Sequence, residues 1–395
     1  MFYPSLGSLR ARRGRRGLFM VLCLSLLSAC ATNYQPQKQV IHQQGVSLAQ
    51  AIQITSQHLY TQIAAHHEHK KGRLGFLNRQ ASKVVVDEFI DRDSQESVMA
   101  TQQITQGVIQ AARGYTMVQA YPLSRQYLPN AHYVIRGYVY YDPQKNSQYR
   151  LFASVQHLAS GEMITLSQVF INDRGMNFAR TPEYRDTPTF PIRKGQVRDE
   201  LARLDPETRA ILNDAGKAYA RKDFKTAQQL YTQASERPQG QIARTYSGLY
   251  ISELRLGQRK AAEAAFVRLI KLNLAKRQNI ALKLLFKVNS TEFIGDQFAT
   301  AQYQMWLKKI AELIAEQRNC LTIVGHSSHT GQANYNLQLS QKRAIRVQDD
   351  MAMTFPEVGY YSKTVGKGFS ENIVGSGTDD QRDMVDRRVE FLQGC

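Results

Sequence analysis

Apolar and polar positions change period several times along the chain. From Val46, the residues Leu48, Ile52, Leu59 and Ile63 recur about one or two helical turns apart, which predicts a helix. Lys83–Phe89 (KVVVDEF) and Tyr115–Tyr121 (YTMVQAY) then read as strands on either side of a helix over Glu96–Ala112. His132–Tyr141, Tyr149–Leu158 and Met163–Ile171 alternate with period two, as half-buried strands do. Ala159–Glu162 (ASGE) is a tight turn between the last two. The order predicts an α/β domain over residues 46–172.

Residues 173–203 are rich in Arg, Pro, Asp and Thr and read as a linker. Helical periodicity returns over 204–281 with an internal repeat. Ala227, Tyr231 and Ala234 recur 35 residues later as Ala262, Phe266 and Leu269. A small residue lets two helices approach, and the aromatic four positions on fills the gap beside it. The period resembles tetratricopeptide helix pairs, and a plain helical hairpin fits two degenerate copies equally well. From Leu282 the chain reads strand, helix, strand, helix, strand, strand. Phe286–Phe293 is the first strand, Gln297–Gln317 a long amphipathic helix, and Cys320–Gly331 a strand running into a loop. Asn336–Met351 is the next helix, and Lys363–Gly368 and Asp386–Leu392 are the last strands. Tyr303 and Trp306 fall on the long helix and read as core. The expected fold class is therefore multidomain α/β and α: an N-terminal α/β domain, a helical-repeat middle and a C-terminal βαβαββ domain. At 395 residues, two or three domains are the prior in any case.

The first 30 residues change the picture of where the protein resides. Arg10, Arg12, Arg13, Arg15 and Arg16 precede an apolar run, Leu18–Leu27, far shorter than the roughly 20 residues of a spanning helix. The run ends in Leu27-Ser28-Ala29-Cys30 and is followed by polar ATNYQPQKQ. This resembles a lipobox. Residues 1–29 are then a signal peptide, Cys30 is the acylated residue, and 30–45 is its flexible tether. Ala31 is not the aspartate associated with inner-membrane retention, so the resemblance implies a lipid anchor on the periplasmic face of the outer membrane. The net charge is +18, and loss of the five arginines leaves the mature chain near +13. Residues 173–271 carry 19 basic and 12 acidic side chains, so much of the excess sits there. Such a balance suits anionic envelope partners. No nucleic-acid motif is present, and the export signal argues against that partner.

The C-terminal motifs carry the sharpest signal. GHSSHTG (325–331), YNLQLSQKRAIRV (335–347), GKG (366–368) and DRRVE (386–390) stand in that order over about 110 residues. This resembles the OmpA-like peptidoglycan-binding domain, whose pattern is GHTD-x-x-G, YN-x-x-LS-x-x-RA-x-x-V, G-x-G and NRRVE. The resemblance implies recognition rather than bond breaking. An aspartate and an arginine hold the two charged ends of diaminopimelate in a peptidoglycan stem peptide. Arg343 stands at the arginine position and Ser328 at the aspartate position; His326, Asn336, Asp386 and Arg387 complete the expected peptidoglycan-binding set. Ser328 supplies no charge, and loss of one charge-assisted bond costs on the order of 1.5–3 kcal/mol. Asp386, where the family has Asn, is a candidate compensating carboxylate. Residues 282–395 carry 13 basic and 13 acidic side chains, so the domain's overall charge does not replace the missing anion. The resembled fold also sets the strand at Cys320 antiparallel to the last strand, ending near Cys395. That implies a disulfide between the two cysteines left after processing, in an oxidising periplasm.

The N-terminal pattern, with VVVDEFIDRDS, YVIRGYVYY and HLASGEMI, resembles the domain shared by the curli-secretion lipoprotein CsgG, the flagellar lipoprotein FlgO and the lipoprotein activator LpoB. Two clusters invite a chemical reading. His326, Ser327, Ser328 and His329 lack a third, acidic orienter, and they lie on the family's binding loop. His66, His67 and His69 around Glu68 read as a solvated helix end, since adjacent positions point apart. No enzyme, cofactor or metal is therefore expected. The expected function is an outer-membrane lipoprotein that tethers or scaffolds an envelope assembly by binding peptidoglycan, with other envelope proteins as partners. The alternatives are a regulatory lipoprotein that activates a peptidoglycan synthase, and an OmpA-like domain turned to protein docking in a secretion or flagellar machine.

Overall fold

The computed structural model describes residues 39–71, 80–142, 148–190, 204–284, 286–287, 289–294, 297–318, 320–373, 377 and 381–395. The segment expected to be a signal sequence, Cys30 and the first part of the expected tether lie outside the described residues. The N-terminal part runs β1 (Gln39–Val46), α1 (Leu48–Lys71), β2 (Ser82–Val86), β3 (Ile90–Asp91), α2 (Met99–Ala111), β4 (Val118–Pro122), β5 (Tyr133–Asp142), β6 (Gln148–His157) and β7 (Met163–Ile171). The sheet order is β1-β7-β6-β5-β2-β4, with β3 also on β5. β5, β6 and β7 are an antiparallel meander, and β2 joins β4 and β5 in parallel. Tyr60 and Ile63 of α1 and Ile104 and Val108 of α2 pack onto Val84, Tyr133, Leu151 and Ala153 of the sheet, all with almost no exposure.

The tether expectation needs correction here. Residues 39–46 are a strand, paired parallel to β7 from Gln39 opposite Leu166. Its sequence, QVIHQQGV, is too polar to show strand periodicity. It is held by edge hydrogen bonding rather than by burial, and Ile41 stays 47% exposed.

The second correction concerns 173–203. α3 (Pro182–Asp186) and β8 (Thr189–Phe190) lie in this segment, and β8 pairs antiparallel with β9 (Asn279–Leu282). The described part is therefore built into the fold; residues 191–203 lie outside the described residues.

Between β8 and β9 stand two helical hairpins: α4 (Pro206–Ala220) with α5 (Phe224–Ser235), and α6 (Ala243–Arg255) with α7 (Arg259–Arg277). Capping marks the first pair. Asp205 accepts from Thr208 N at 2.8 Å ahead of Pro206, and Asp223 accepts from Thr226 N at 3.1 Å. The repeat residues Ala227, Tyr231, Ala234, Ala262, Phe266 and Leu269 are all buried. A Cβ on Gly248 of α6 would lie 2.3 Å from the Tyr231 ring, so only glycine admits the aromatic there.

The C-terminal part adds α8 (Gln297–Gln317), β10 (Leu321–Gly325), α9 (Ala333–Ala352), β11 (Ser362–Gly366) and β12 (Val389–Gln393). Sheet order is β11-β10-β12-β9-β8. The βαβαββ order holds, but its first strand is Asn279–Leu282 and not Phe286–Phe293. NIAL is buried at every position, so it lacks the alternation that marks a half-exposed strand. Phe286 and Phe293 instead bridge each other across a turn in which Asn289 takes φ 53°. Trp306 and Tyr303 are core: the Trp306 indole donates to Tyr250 Oη at 2.8 Å, joining α8 to α6.

Residues Pro36–Cys395 pack as one compact unit. Buried ion pairs cross the junctions. Asp87, just after β2, pairs with Arg209 of α4 and accepts from Asn213 Nδ2 at 2.8 Å. Arg244 of α6 holds Glu183 at 2.8 and 3.0 Å and Glu88 at 3.1 Å. Lys283, just after β9, reaches Glu96 at 2.7 Å.

Cys320 and Cys395 form a disulfide with Cα atoms 5.5 Å apart, closing a sequence separation of 75 residues. Gly394 N donates to Cys320 O at 2.8 Å, so backbone pairing already aligns the two ends. Cys320→Ser is expected to lower stability by roughly 2–4 kcal/mol in the chain-entropy account. Urea unfolding of the oxidised chain against the variant measures it; equal midpoints would contradict it.

Candidate ligand-binding site

The site forms where β10, α9 and the residues preceding β12 converge. Two glycines set the approach of α9. A Cβ on Gly325 would meet Ser340 O at 2.1 Å, and one on Gly366 would meet Gln341 N at 2.5 Å. α9 therefore lies directly on the ends of β10 and β11. Ser340 Oγ accepts from Gly368 N at 2.9 Å, where φ is +51°. The buried face of α9 reads Asn336, Ser340, Arg343, Ala344, Val347 and Met351, the i, i+3, i+4 stripe of a half-buried helix.

Asn336 and Arg343 are two turns apart on that face, about 10 Å along the axis. Asn336 Nδ2 donates to Thr330 O at 2.8 Å and pins the 325–331 loop. Ser328, buried in that loop, has Thr330 Oγ1 at 3.5 Å as its side-chain contact. Arg343 is 5% exposed. It donates from Nε to Ser290 O at 3.2 Å and from Nη2 to Lys287 O at 3.3 Å, and it lies 4.9 Å over the Phe286 ring. Among the described residues no carboxylate pairs with it. Burial and the nearby Arg387 guanidinium lower its pKa to about 10, which leaves it charged at neutral pH. The Phe286–Phe293 turn is thus a wall of the arginine's pocket, a role invisible when that segment is read as a strand.

His326 and Asp386 form a separate buried layer with Arg388 and Glu390. Arg388 Nε donates to Glu390, and Arg388 Nη2 donates to Glu371 O at 3.2 Å. Asn279 Nδ2 donates to Glu390 Oε2 at 2.7 Å, tying the layer to β9. Asp386 is fully buried and accepts from Ile373 N at 2.5 Å, with Arg388 Nη1 4.0 Å away. Its carboxylate holds a loop and does not stand open in a cleft. Arg388 and Glu390, absent from the expected set, were legible only as members of DRRVE.

The His326 ring is 1% exposed, and neither nitrogen has a hydrogen-bond partner; Nε2 lies 3.6 Å from Glu390 Oε1. Burial, reinforced by Arg388 and Lys367, pushes its pKa down to about 2. The folded value lies below that of an unfolded histidine, so the unfolded chain takes the proton first. The neutral ring imposes no penalty above about pH 6.5, and stability falls as pH drops below it, by up to about 1.4 kcal/mol per pH unit. Between pH 7.5 and 5.5 the wild type is expected to lose on the order of 1 kcal/mol more unfolding free energy than His326→Gln. Parallel pH profiles for the two proteins would contradict this.

The histidines at the end of α1 lie elsewhere. His66 Nδ1 contacts Tyr133 Oη at 2.8 Å inside the N-terminal core, so it is buried rather than solvated. His67 Nε2 contacts Gln80 O at 3.2 Å. The side chain of His69 lies outside the described residues. Among the described residues no group of three or more His, Cys, Asp or Glu side chains is placed to hold a metal ion. No described helix is long and apolar enough to cross a membrane.

No curated protein matches the chain. Among solved structures, the peptidoglycan-associated lipoprotein from Burkholderia pseudomallei is 23% identical, covering 30% of this chain and 92% of that one, with TM-score 0.24. The cell wall anchor of the T6SS from Pseudomonas aeruginosa is 22% identical, covering 30% and 81%, with TM-score 0.24. The OmpA-like domain of a Francisella tularensis protein is 20% identical, covering 29% and 73%, with TM-score 0.24. The family model described as the OmpA family matches residues 285–383, the span that holds Ser328, Asn336 and Arg343, and this part of the chain is an OmpA family domain.

Proposed function

We propose that this protein is a lipid-anchored envelope scaffold that grips peptidoglycan through Arg343 and is fixed to the outer membrane at Cys30. The observation that carries the reading is Arg343: a buried guanidinium held in place by backbone carbonyls and Phe286, with no described carboxylate to neutralise it. A planar cation so placed suits a carboxylate, which it can take in bidentate fashion. The diaminopimelate stem peptide offers one. Ser328, with Thr330 beside it, is left to accept from the ammonium end, so the grip is weak. The N-terminal and helical parts, locked to the wall-binding domain, then present docking faces to other envelope proteins.

Eight residues lie between Cys30 and Gln39, a reach of about 30 Å at full extension. An acylated Cys30 would keep the folded part close to the outer membrane, which favours scaffolding over direct activation of an inner-membrane synthase. Ser328 favours one other reading, a domain that has given up the wall for a protein partner. Co-sedimentation with purified sacculi separates the two: retention of the wild type supports the grip, and none at any concentration supports docking alone. Cys30→Ser is expected to abolish acyl labelling and remove the protein from the outer-membrane fraction. Unchanged fractionation would refute the anchor.

A further inference from the structure

The two helical hairpins turn at the same end of the helical part. Arg255 Nε, at the end of α6, donates to Tyr219 Oη at the end of α4, 3.3 Å away. Gln228 Nε2 of α5 donates to Gln258 Oε1 at 2.7 Å, so the α4–α5 and α6–α7 turns lie side by side. Arg221, Lys222, Lys225, Arg259 and Lys260 are exposed there. Lys225 and Lys260 are repeat equivalents, 35 residues apart. Leu256, in the second turn, is 36% exposed among these cations. Among the described residues none of the five is held by an ion pair or a side-chain hydrogen bond.

The carboxylates around them are occupied. Asp223, beside Arg221, caps Thr226 N at 3.1 Å. Glu253, one turn below, is buried, and burial raises its pKa. Glu263, one turn along α7, faces Lys309 at 3.3 Å, and Asp186 is shared by Arg185 and Arg255. With Asp223 and Glu253 both counted as anions, the five cations still leave a formal excess of three. Local stability does not account for these charges. Lys225, Arg259 and Lys260 lie in the first turns of their helices, where the macrodipole disfavours a cation. Lys222 takes φ 64°, where the equivalent turn uses Gly257 at φ 74°. Unfixed long side chains lose rotamer freedom when docked on a rigid partner, a cost that a fluid charged surface reduces. An apolar side chain ringed by Lys and Arg also suits a headgroup layer. We infer that this end of the hairpins docks on an anionic phospholipid surface, its phosphates met by Lys222, Lys225, Arg259 and Lys260, with Leu256 entering the headgroup layer. The contact uses neither Arg343 nor an acyl group.

Residues 31–395, which hold the whole compact unit and carry no acyl group, are co-sedimented with vesicles of phosphatidylcholine alone and of phosphatidylcholine mixed with phosphatidylglycerol. Binding to the anionic vesicles is expected to be roughly tenfold tighter or more, and to be lost at high salt. Each cation near such a surface contributes roughly fivefold in partitioning, so Lys222→Gln/Lys225→Gln/Arg259→Gln should weaken binding about a hundredfold. Arg113→Gln/Lys342→Gln/Lys363→Gln removes the same charge from exposed positions on other elements and should change binding less than about threefold. Leu256→Ser should weaken it several-fold; unchanged binding would mean a purely electrostatic contact, contrary to the inference. Arg343→Ala should bind the vesicles as the wild type does, which keeps this result separable from wall binding. All variants are checked for native circular dichroism. Equal binding to both vesicles, no binding to either, or matching losses in the two triple variants would overturn the inference.

Discussion

Arg244→Ala is expected to lower stability by about 3–5 kcal/mol, the cost of leaving a buried charge cluster without one partner. Arg244 is 8% exposed at its side chain and faces carboxylates from two other parts of the chain: Glu183 on α3 and Glu88 beyond β2. It also donates to Asn213 Oδ1 at 3.2 Å. Burial pushes the Glu88 carboxyl pKa up, and Arg244 is the main group opposing that rise. Its loss leaves Glu183 and Glu88 to repel each other in a poorly solvated site. Lys367→Gln, which breaks an exposed pair with Glu371 at 3.1 Å, should cost no more than about 1 kcal/mol. Thermal and urea unfolding of the two variants beside the wild type measures the difference. Comparable small losses would mean that the junction is not held by these pairs.

This junction is also what the sequence conceals. Elements with strong periodicity were legible: β7 and α8 stand at Met163–Ile171 and Gln297–Gln317, where alternation and amphipathicity set them. VVVDEF was readable as a strand and its exit. That Asp87 and Glu88 meet Arg209 and Arg244 was not, because contacts spanning more than 120 residues leave no local period. β9 escaped for a related reason. Its place between β12 and β8 buries both faces, and full burial erases alternation. At the site, the linked motifs placed Ser328, Asn336 and Arg343 on one loop and one helix face. The Phe286 wall and the Arg388–Glu390 pair depend on how β9 and β12 meet, which no spacing encodes.

The largest expected effect on function is at Arg343. Its guanidinium is pre-positioned by Ser290 O and Lys287 O, so a carboxylate ligand meets a donor whose side-chain entropy is already lost. Arg343→Ala removes the charge and leaves a cavity under Phe286, and it should eliminate wall binding. Ser328→Asp should do the opposite. It adds an anion in the loop that Asn336 pins, and a charge-assisted bond to the ammonium is worth on the order of 1.5–3 kcal/mol, or ten- to a hundredfold in affinity. Asp386 is not expected to substitute for that anion, since it is buried against Ile373 N.

Co-sedimentation of the wild type, Arg343→Ala and Ser328→Asp with purified diaminopimelate-type sacculi, read as bound fraction against sacculus concentration, tests the central claim most directly. The account predicts weak saturable binding by the wild type, none by Arg343→Ala, and at least tenfold tighter binding by Ser328→Asp. Equal binding by the wild type and Arg343→Ala would contradict it.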